Sequence, residues 1–332
     1  MVGFCSSPRF IEHETGKHHP ERPDRIRAIY LALHQAGYIA ANPFPEFKIE
    51  LGGLPHAKEP LVELPFEAAD QMAILAVHPQ AHIDAIRHVC DVGYGVMDQG
   101  DTPVSDMSYE IALLGIGAVL RGSDAVMKGE VRRAFCAVRP PGHHAEPNRA
   151  MGFCLFSNIA IGARYLQQRH GVGKVAIVDF DVHHGNGTQA CFEKDPTVYF
   201  ASLHQHPATC YPGTGFEWET GAGPGRGFTL NIPFDPGAGD LEYVEAMSSR
   251  VVPAVEQFRP DVLMVSAGFD AHQADPLASI SLSEEGFEML TRSLVGVADR
   301  CCGGRMISVL EGGYSLRALG RSVVRHVAAM SE

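Results

Sequence analysis

The segment Val175-Ala-Ile-Val-Asp-Phe-Asp-Val-His-His-Gly-Asn-Gly-Thr-Gln189 decides the class of fold. Its first half is an apolar, β-branched run of the kind found in strands buried on both faces. Its second half carries Asp179, Asp181, His183 and His184 before a glycine-rich turn. Because alternate residues of an extended chain point the same way, we expect Asp179, Asp181 and His183 to share one face. Carboxylates and imidazoles are ligands for divalent cations, so the segment predicts a metal-dependent enzyme.

Three other apolar runs are followed by residues that bind metals or transfer protons. The runs span residues 133–138, 262–267 and 306–310, and the side chains that follow them are His143, His144, Asp270 and Tyr314. Unbroken apolar runs are typical of parallel strands covered by helices, and the carboxyl ends of such strands form the ligand crevice. For any single cluster a capped turn is the simpler interpretation. The coincidence of four favours one shared site.

Helical spacing of apolar residues alternates with these strands. It predicts helices over residues 25–36, 79–90, 108–127, 158–170, 240–258, 283–301 and 317–330. Residues 42–66 are rich in Pro and Gly and are predicted to be irregular. Strands that alternate with helices indicate an α/β fold with a parallel sheet. Because no linker-like or low-complexity tract divides the chain, we expect a single domain over residues 1–332.

Composition excludes several classes of function. A formal net charge of −12, from 27 basic and 39 acidic residues, argues against nucleic-acid binding, which needs a basic surface. The longest apolar stretch, residues 111–120, is shorter than the roughly 20 residues of a membrane span. With no signal-like start, we expect no membrane partner and a cytoplasmic location. The eight cysteines form no CxxC pair, which argues against a thiolate zinc site and favours reduced thiols.

Several motifs together resemble the zinc-dependent histone deacetylase family, in its class II branch. They are His19-Pro-Glu-Arg-Pro23, Arg139-Pro-Pro-Gly-His-His-Ala-Glu146, Gly152-Phe-Cys154, Asp179-Phe-Asp-Val-His-His-Gly-Asn-Gly-Thr-Gln189, Tyr211-Pro-Gly-Thr-Gly215, Ser266-Ala-Gly-Phe-Asp270 and Glu311-Gly-Gly-Tyr314. The resemblance extends from about His13 to the C-terminus. It implies the arginase–deacetylase fold, a single eight-stranded parallel sheet flanked by helices.

The resemblance also implies the metal sites. One zinc ion per chain would be bound by Asp181, His183 and Asp270, which leaves one coordination position open, as catalytic zinc sites require. Structural potassium ions would be bound by two sets of residues. The first set is Asp179, Asp181, His183, Ser202 and Leu203, and the second is Phe192, Asp195, Val198 and Phe228.

Catalytic and substrate-binding roles follow from the same resemblance. The implied catalytic residues are His143, His144, Asp179, Asn186 and Tyr314. His144 would be the general base, Asp179 would orient His143, and Asn186 would lie near His144. Tyr314 would donate a hydrogen bond to the substrate carbonyl. The implied substrate-binding residues are Asp101 at the rim, Gly152, Phe153 and Tyr211 along a narrow tunnel, and the internal Arg25.

These assignments predict hydrolysis of a linear amide, with removal of acetyl or other acyl groups from the side-chain amine of acyl-lysine in proteins or peptides. Asn186 stands where class I members carry aspartate, and Tyr314 is retained where some vertebrate class II members have histidine. The family also contains acetylpolyamine amidohydrolases, so an acetylated polyamine is the alternative substrate.

Two rival functions share part of the pattern. A two-manganese ureohydrolase of the arginase type has the same fold, but it needs more bridging carboxylates than the sequence offers near Asp181 and Asp270. A catalytically silent module that binds acylated ligands would be indicated by a lost ligand or a broken histidine pair. Both histidines and all three implied zinc ligands are present.

Overall fold

A parallel sheet forms the centre of the computed structural model, which describes residues 1–98 and 100–332. Its strands are β1 (Val2–Cys5), β2 (Val62–Glu63), β5 (Arg133–Cys136), β6 (Val175–Asp179), β7 (Val198–Gln205), β8 (Thr229–Phe234), β9 (Val262–Ala267) and β10 (Met306–Leu310). The strand order is β2-β1-β5-β10-β9-β6-β7-β8, and every pair of neighbours is parallel. A separate antiparallel hairpin pairs β3 (Tyr94–Val96) with β4 (Pro103–Ser105).

Helices cover both faces of the sheet. They are α1 (Asp24–Gln35), α2 (Gln71–Ile74), α3 (Gln80–Asp91), α4 (Ser108–Met127), α5 (Asn158–His170), α6 (Asn186–Phe192), α7 (Asp240–Ala246), α8 (Val252–Phe258), α9 (Glu284–Cys301) and α10 (Leu316–Met330). Consecutive residues of β5 point to the two faces. Cys136 faces Gly122 of α4, whereas the Phe135 ring packs against His326 of α10.

Most of the predicted elements are confirmed. The strands at 262–267 and 306–310 and the helices at 108–127 and 158–170 have the predicted bounds. The apolar strands β6, β9 and β10 are buried throughout, as expected for a sheet covered on both faces. The predicted helix over residues 240–258 is interrupted by a π-helical turn at Met247–Val251 between α7 and α8.

Two local predictions were wrong. Residues 42–66 are not wholly irregular, because β2 pairs with β1 at the edge of the sheet. The glycine-rich turn expected after His184 is the start of α6, which begins at Asn186.

No described helix is both long enough and apolar enough to cross a membrane. All eight cysteines are free of disulfide bonds.

Candidate active site

The four reactive clusters lie at the carboxyl ends of β5, β10, β9 and β6, which are consecutive neighbours in the sheet. They meet, as the sequence predicts, beside a cavity of about 190 Å³. The cavity is lined by Asp101, His144, Gly152, Phe153, His183, Tyr211, Leu277 and Tyr314. Charged or polar groups stand at its rim and base, and apolar or aromatic side chains form much of its wall.

A buried group of possible metal ligands forms the base of this site. Asp181, His183 and Asp270 each offer a ligand atom, and these atoms lie within 4.8 Å of one another. Within the part of the chain that the structure describes, Asp270 Oδ2 is buried and accepts no well-formed hydrogen bond, although His183 Nδ1 lies 3.2 Å from it. A buried carboxylate oxygen without a hydrogen bond is costly, and a bound cation would satisfy it. Two carboxylates and one imidazole are a donor set that fits zinc.

Two glycines allow the backbone to approach these carboxylates. A Cβ atom added at Gly268 would lie 2.1 Å from Asp181 Oδ2, and one added at Gly312 would lie 2.0 Å from Asp270 Oδ2. The Gly312 amide donates a hydrogen bond to Asp181 Oδ2 at 2.8 Å. Any side chain at either position would therefore displace a carboxylate of the metal-ligand group.

The prediction that Asp179, Asp181 and His183 point to the same side is confirmed only for Asp181 and His183. Strand β6 ends at Asp179, and the chain bends over residues 181–183. Asp181 and His183 turn toward Asp270, whereas Asp179 Oδ2 accepts a hydrogen bond from His143 Nδ1 at 3.0 Å. Burial lowers the pKa of His143, but the carboxylates of Asp181 and Asp179 outweigh it and raise this pKa to about 10.

His144 has a different environment from His143, although their ring centroids are 4.0 Å apart. Its Nδ1 lies 2.7 Å from Asn186 Oδ1. The Asn186 amide nitrogen donates to Glu146 Oε1 at 2.9 Å, which fixes the amide so that its oxygen faces His144. Burial lowers the pKa of His144, and the charges of the His143 and His183 rings lower it further. His144 is therefore the neutral member of the pair, with Nε2 free to accept a proton.

Tyr314 lines the cavity directly after Gly312 and Gly313. Arg25, which the sequence placed with the substrate-binding residues, is fully buried behind it, with the guanidinium carbon 5.1 Å from the Tyr314 ring centroid. The Arg25 guanidinium donates to Gly313 O at 2.7 Å and to Glu21 Oε1 at 3.0 Å. Arg25 is not among the residues that line the cavity. Its hydrogen bonds go to other groups of the protein and not to the space where a substrate would lie.

The rim of the cavity is formed by the turn of the β3–β4 hairpin and by the loop after β5. Asp101 lies in the hairpin turn, and the hydroxyl of the neighbouring Thr102 accepts a hydrogen bond from Phe153 N at 3.0 Å. Gly152 and Phe153 both have positive φ angles, of 56° and 68°. Tyr211 lies opposite, with its ring centroid 5.1 Å from that of His144. The structure thus brings Asp101, Gly152, Phe153 and Tyr211 together around one cavity.

Comparison with known proteins agrees with this arrangement. The sequence matches the histone deacetylase domain over residues 19–330. The chain belongs to the histone deacetylase family. It is 44% identical over 243 residues to the histone deacetylase-like amidohydrolase of Pseudomonas aeruginosa, which covers 73% of this chain and 63% of that relative. It is 36% identical over 332 residues to a probable deacetylase of Archaeoglobus fulgidus, which covers 100% of this chain and 86% of that one.

A solved structure shows the same fold. The crystal structure of the HDA15 HD domain superposes with a TM-score of 0.89 at 35% sequence identity, covering 99% of this chain and 89% of that chain. Together with the eight-stranded parallel sheet, this match identifies the arginase–deacetylase fold. As a member of the histone deacetylase family, the protein is a hydrolase related to deacetylases.

The residues implied to bind potassium in this histone deacetylase family member lie in two regions. Asp179, Asp181, His183, Ser202 and Leu203 lie in or just after β6 and in β7. The second set, Phe192, Asp195, Val198 and Phe228, surrounds the turn after α6 and the start of β8. In this turn, the carbonyl of Phe192 accepts from Asp195 N at 2.9 Å. Potassium binding at either set stays a prediction.

Three residues of the site were not assigned from the sequence. Leu277 lines the cavity, and no feature of the loop after β9 distinguishes it from an ordinary apolar residue. Glu311 belongs to a recognised motif, and its Oε2 accepts hydrogen bonds from Gly142 N at 2.7 Å and His143 N at 3.1 Å. Asp275 accepts a hydrogen bond from Tyr314 N at 2.7 Å. These contacts join distant loops, which a single sequence does not reveal.

Proposed function

We propose that this member of the histone deacetylase family is a zinc-dependent amidohydrolase that removes acetyl, or other acyl, groups from the side-chain amine of acyl-lysine in peptides or proteins. The observation that carries the proposal is the cavity that joins Asp101 at the rim to His144, His183 and Tyr314. We also propose that residues 1–332 act as a single catalytic domain.

The cavity suits a long uncharged side chain. Phe153 and Tyr314 meet edge to face with ring centroids 5.8 Å apart, and Tyr211 and Leu277 complete an apolar wall. An acylated lysine carries no side-chain charge, so its methylene groups gain free energy when they leave water for such a wall. Its amide carbonyl would then lie near the polar base of the cavity.

The histidines have complementary protonation states for amide hydrolysis. His144 Nε2 would take a proton from the attacking water and return it to the leaving amine, because its pKa is lowered and its Nδ1 is held by Asn186. His143, whose pKa is raised, would keep its proton and act as an electrostatic partner of the reacting groups, held by Asp179. The Tyr314 hydroxyl would donate a hydrogen bond to the reacting carbonyl oxygen.

Asp181, His183 and Asp270 would hold the zinc ion. When bound, zinc supplies Lewis acidity toward the amide carbonyl and lowers the pKa of water. All three side chains are buried. Potassium at the two predicted sets would contribute to structure.

An acetylated polyamine is the second candidate substrate. A second cavity, of about 420 Å³, adjoins the rim and is lined by Asp98, Asp101, Tyr211 and neighbouring residues. Two carboxylates at this position would favour a ligand that carries ammonium groups. Arg149 also lines this cavity and would oppose the attraction.

A panel assay tests the proposal. Purified protein with measured zinc content would be given acetyl-lysine peptides, longer acyl-lysine peptides, N-acetylputrescine and acetylspermidine, and released amine or acid would be quantified. We expect the highest kcat/KM with an acyl-lysine peptide and loss of turnover in the His144→Ala variant. A higher kcat/KM with an acetylpolyamine than with every peptide would replace the proposed substrate. No turnover of any amide would refute the proposed reaction.

A further inference from the structure

The turn that carries Tyr314 is held from two sides by the buried side chains of Arg25 and Asp275. On one side, Arg25 Nε donates a hydrogen bond to Gly313 O at 2.7 Å. On the other side, Asp275 Oδ2 accepts hydrogen bonds from Tyr314 N at 2.7 Å and from Ser315 N at 3.2 Å. A guanidinium therefore binds a carbonyl of this turn, and a carboxyl oxygen binds the two amides that follow.

The turn needs external anchors because of its sequence. Gly312 must lack a Cβ atom to fit against the metal-ligand carboxylates, and Gly313 has a φ angle of 121°. Consecutive glycines have more backbone conformations than other residues, so they do not by themselves fix the direction of the next side chain. The position of the Tyr314 hydroxyl therefore depends on groups outside the turn.

Asp275 joins this turn to the wall of the cavity. Its Oδ1 accepts a hydrogen bond from Leu277 N at 3.1 Å, and Leu277 lines the same cavity as Tyr314. Asp275 is 8% exposed, so loss of its carboxylate would leave amides of both loops without an acceptor in a largely buried place. Among the described residues, Asp275 is not part of the cavity lining.

We propose that Asp275 is a positioning residue for Tyr314, whose hydroxyl it aims at the base of the cavity by fixing the backbone on which Tyr314 stands. The inference rests on the proposed amide hydrolysis, in which Tyr314 donates to the reacting carbonyl oxygen. Asp275 contacts backbone amides and no cavity space, so its loss should lower kcat much more than it changes KM.

The chain offers a control with the same hydrogen-bond pattern at the opposite end of the sheet, where the carboxylate is exposed. Asp261 directly precedes β9, and its Oδ2 accepts hydrogen bonds from Gly173 N at 2.9 Å and Lys174 N at 2.8 Å. It thus makes the same kind of contact, one carboxylate oxygen with two consecutive amides of a distant segment. Asp261→Ala should leave kcat unchanged.

The kinetic test is a double-mutant cycle. Asp275→Ala, Asp275→Asn and Asp261→Ala are each made in the wild-type and the Tyr314→Phe backgrounds, and kcat and KM are measured with an acetyl-lysine peptide at equal zinc content. In the wild-type background we expect Asp275→Ala to lower kcat roughly 10- to 100-fold, as a misplaced catalytic group does. Asp275→Asn, which keeps one acceptor oxygen, should lose less. In the Tyr314→Phe background, either Asp275 variant should lower kcat further by less than about threefold.

Hydrogen exchange supplies a readout that does not depend on activity. In Asp275→Ala or Asp275→Asn, peptides that contain Tyr314 and Ser315 should exchange faster than in the wild type, and Asp261→Ala should leave them unchanged. Equal protection in a folded Asp275 variant would overturn the inference, as would equal fold losses of kcat in the two backgrounds. If Asp275→Ala does not fold, Asp275→Asn is compared in the wild-type and Tyr314→Phe backgrounds and decides between these outcomes. If the wild type hydrolyses no acyl-lysine, the proposed function fails, and the exchange result alone decides the role of Asp275.

Discussion

His144 Nδ1 lies 2.7 Å from Asn186 Oδ1, so this histidine is held by a neutral amide. The neighbouring His143 is held by the carboxylate of Asp179 at 3.0 Å. An imidazole beside a carboxylate gains stability when protonated, whereas one beside an amide oxygen gains much less. Burial and the charge of His143 lower the pKa of His144, whereas the carboxylates of Asp181 and Asp179 outweigh burial and raise the pKa of His143, so the two adjacent histidines differ in protonation state.

Changing the partner of His144 should move the pH dependence of the reaction. Asn186→Asp places a negative charge beside His144 Nδ1, which favours the imidazolium form and raises the pKa of His144. The acidic limb of the kcat/KM profile should therefore shift to higher pH by about 1–3 units, with the largest loss of rate at low pH. Asn148→Asp adds the same charge at an exposed position of the loop after β5 and should leave the limb in place. An unshifted limb in Asn186→Asp would exclude His144 as the base.

The metal-ligand assignment predicts a clear difference between two histidine variants. His183→Ala removes one of three proposed ligands and should lose its zinc during dialysis, as measured by elemental analysis. His144→Ala removes the proposed base but no ligand, so it should keep its zinc and lose turnover. Full zinc occupancy in His183→Ala would contradict the assignment.

Tyr314→Phe removes one hydroxyl from the lining of the cavity. If this hydroxyl donates to the carbonyl oxygen as negative charge develops, kcat should fall about 10²- to 10³-fold with little change in KM, as for other lost oxyanion donors. Steady-state kinetics on an acetyl-lysine peptide measures both constants. An unchanged kcat would mean that Tyr314 only packs against Phe153.

The sequence predicted the central strands of the fold well for a physical reason. Strands β6, β9 and β10 are buried on both faces, so each is an unbroken apolar run with a polar cluster at its carboxyl end. Strand β7 was not predicted; it ends in the polar residues His204 and Gln205 and so lacks an unbroken apolar run. In the structure both are buried, and His204 Nε2 lies 2.8 Å from Gly215 O.

The site was predictable where its residues follow those strands. The buried triad of Asp181, His183 and Asp270 belongs to motifs whose order along the chain is distinctive. The contacts of Asp275 and Glu311 were not predictable, because they depend on how separate loops meet after the chain has folded. Strand β8 was also missed, since it lies at the edge of the sheet and contains Pro233, which is tolerated in edge strands.

The buried ion pairs behind Tyr314 should contribute to stability. Glu21 Oε1 lies 3.0 Å from Arg25 Nη1, Glu21 Oε2 lies 2.7 Å from Arg139 Nη2, and all three side chains are fully buried. Glu21→Gln leaves two buried cations short of a counter-charge, so the free energy of unfolding should fall by about 3–5 kcal/mol. Glu12→Gln breaks a pair with Arg9 at a similar distance on the surface and should cost less than about 1 kcal/mol. Denaturant unfolding of both variants provides the comparison.

The pH dependence of that stability has a definite sign. Burial raises the pKa of Glu21, but Arg139 and Arg25 outweigh it and hold this pKa below its usual value. A carboxylate with a lowered folded-state pKa stabilises the protein above its unfolded pKa of about 4.3, and the contribution is lost as the pH falls further. The difference between wild type and Glu21→Gln should therefore be largest near neutral pH and shrink below about pH 4. A difference that does not change with pH would contradict this account.

Selection between peptide and polyamine substrates should depend on Asp101 at the rim of the cavity. A peptide substrate offers backbone amides to this carboxylate, whereas a polyamine offers only ammonium charge, which Asp98 still attracts in the variant. Asp101→Ala should therefore lower kcat/KM for acetyl-lysine peptides more than for acetylspermidine. Burial and the charge of Asp98 raise the pKa of Asp101 to about 6, so its charge is complete only above that pH. In the wild type, kcat/KM for the acetyl-lysine peptide divided by kcat/KM for acetylspermidine should accordingly rise between pH 5.5 and pH 7.5. Asp101→Ala should make this ratio nearly independent of pH. Glu59→Ala, a change at an exposed acid, serves as the control. An equal loss of kcat/KM for both substrates in Asp101→Ala would show that the carboxylate shapes the rim but does not accept hydrogen bonds from the peptide backbone.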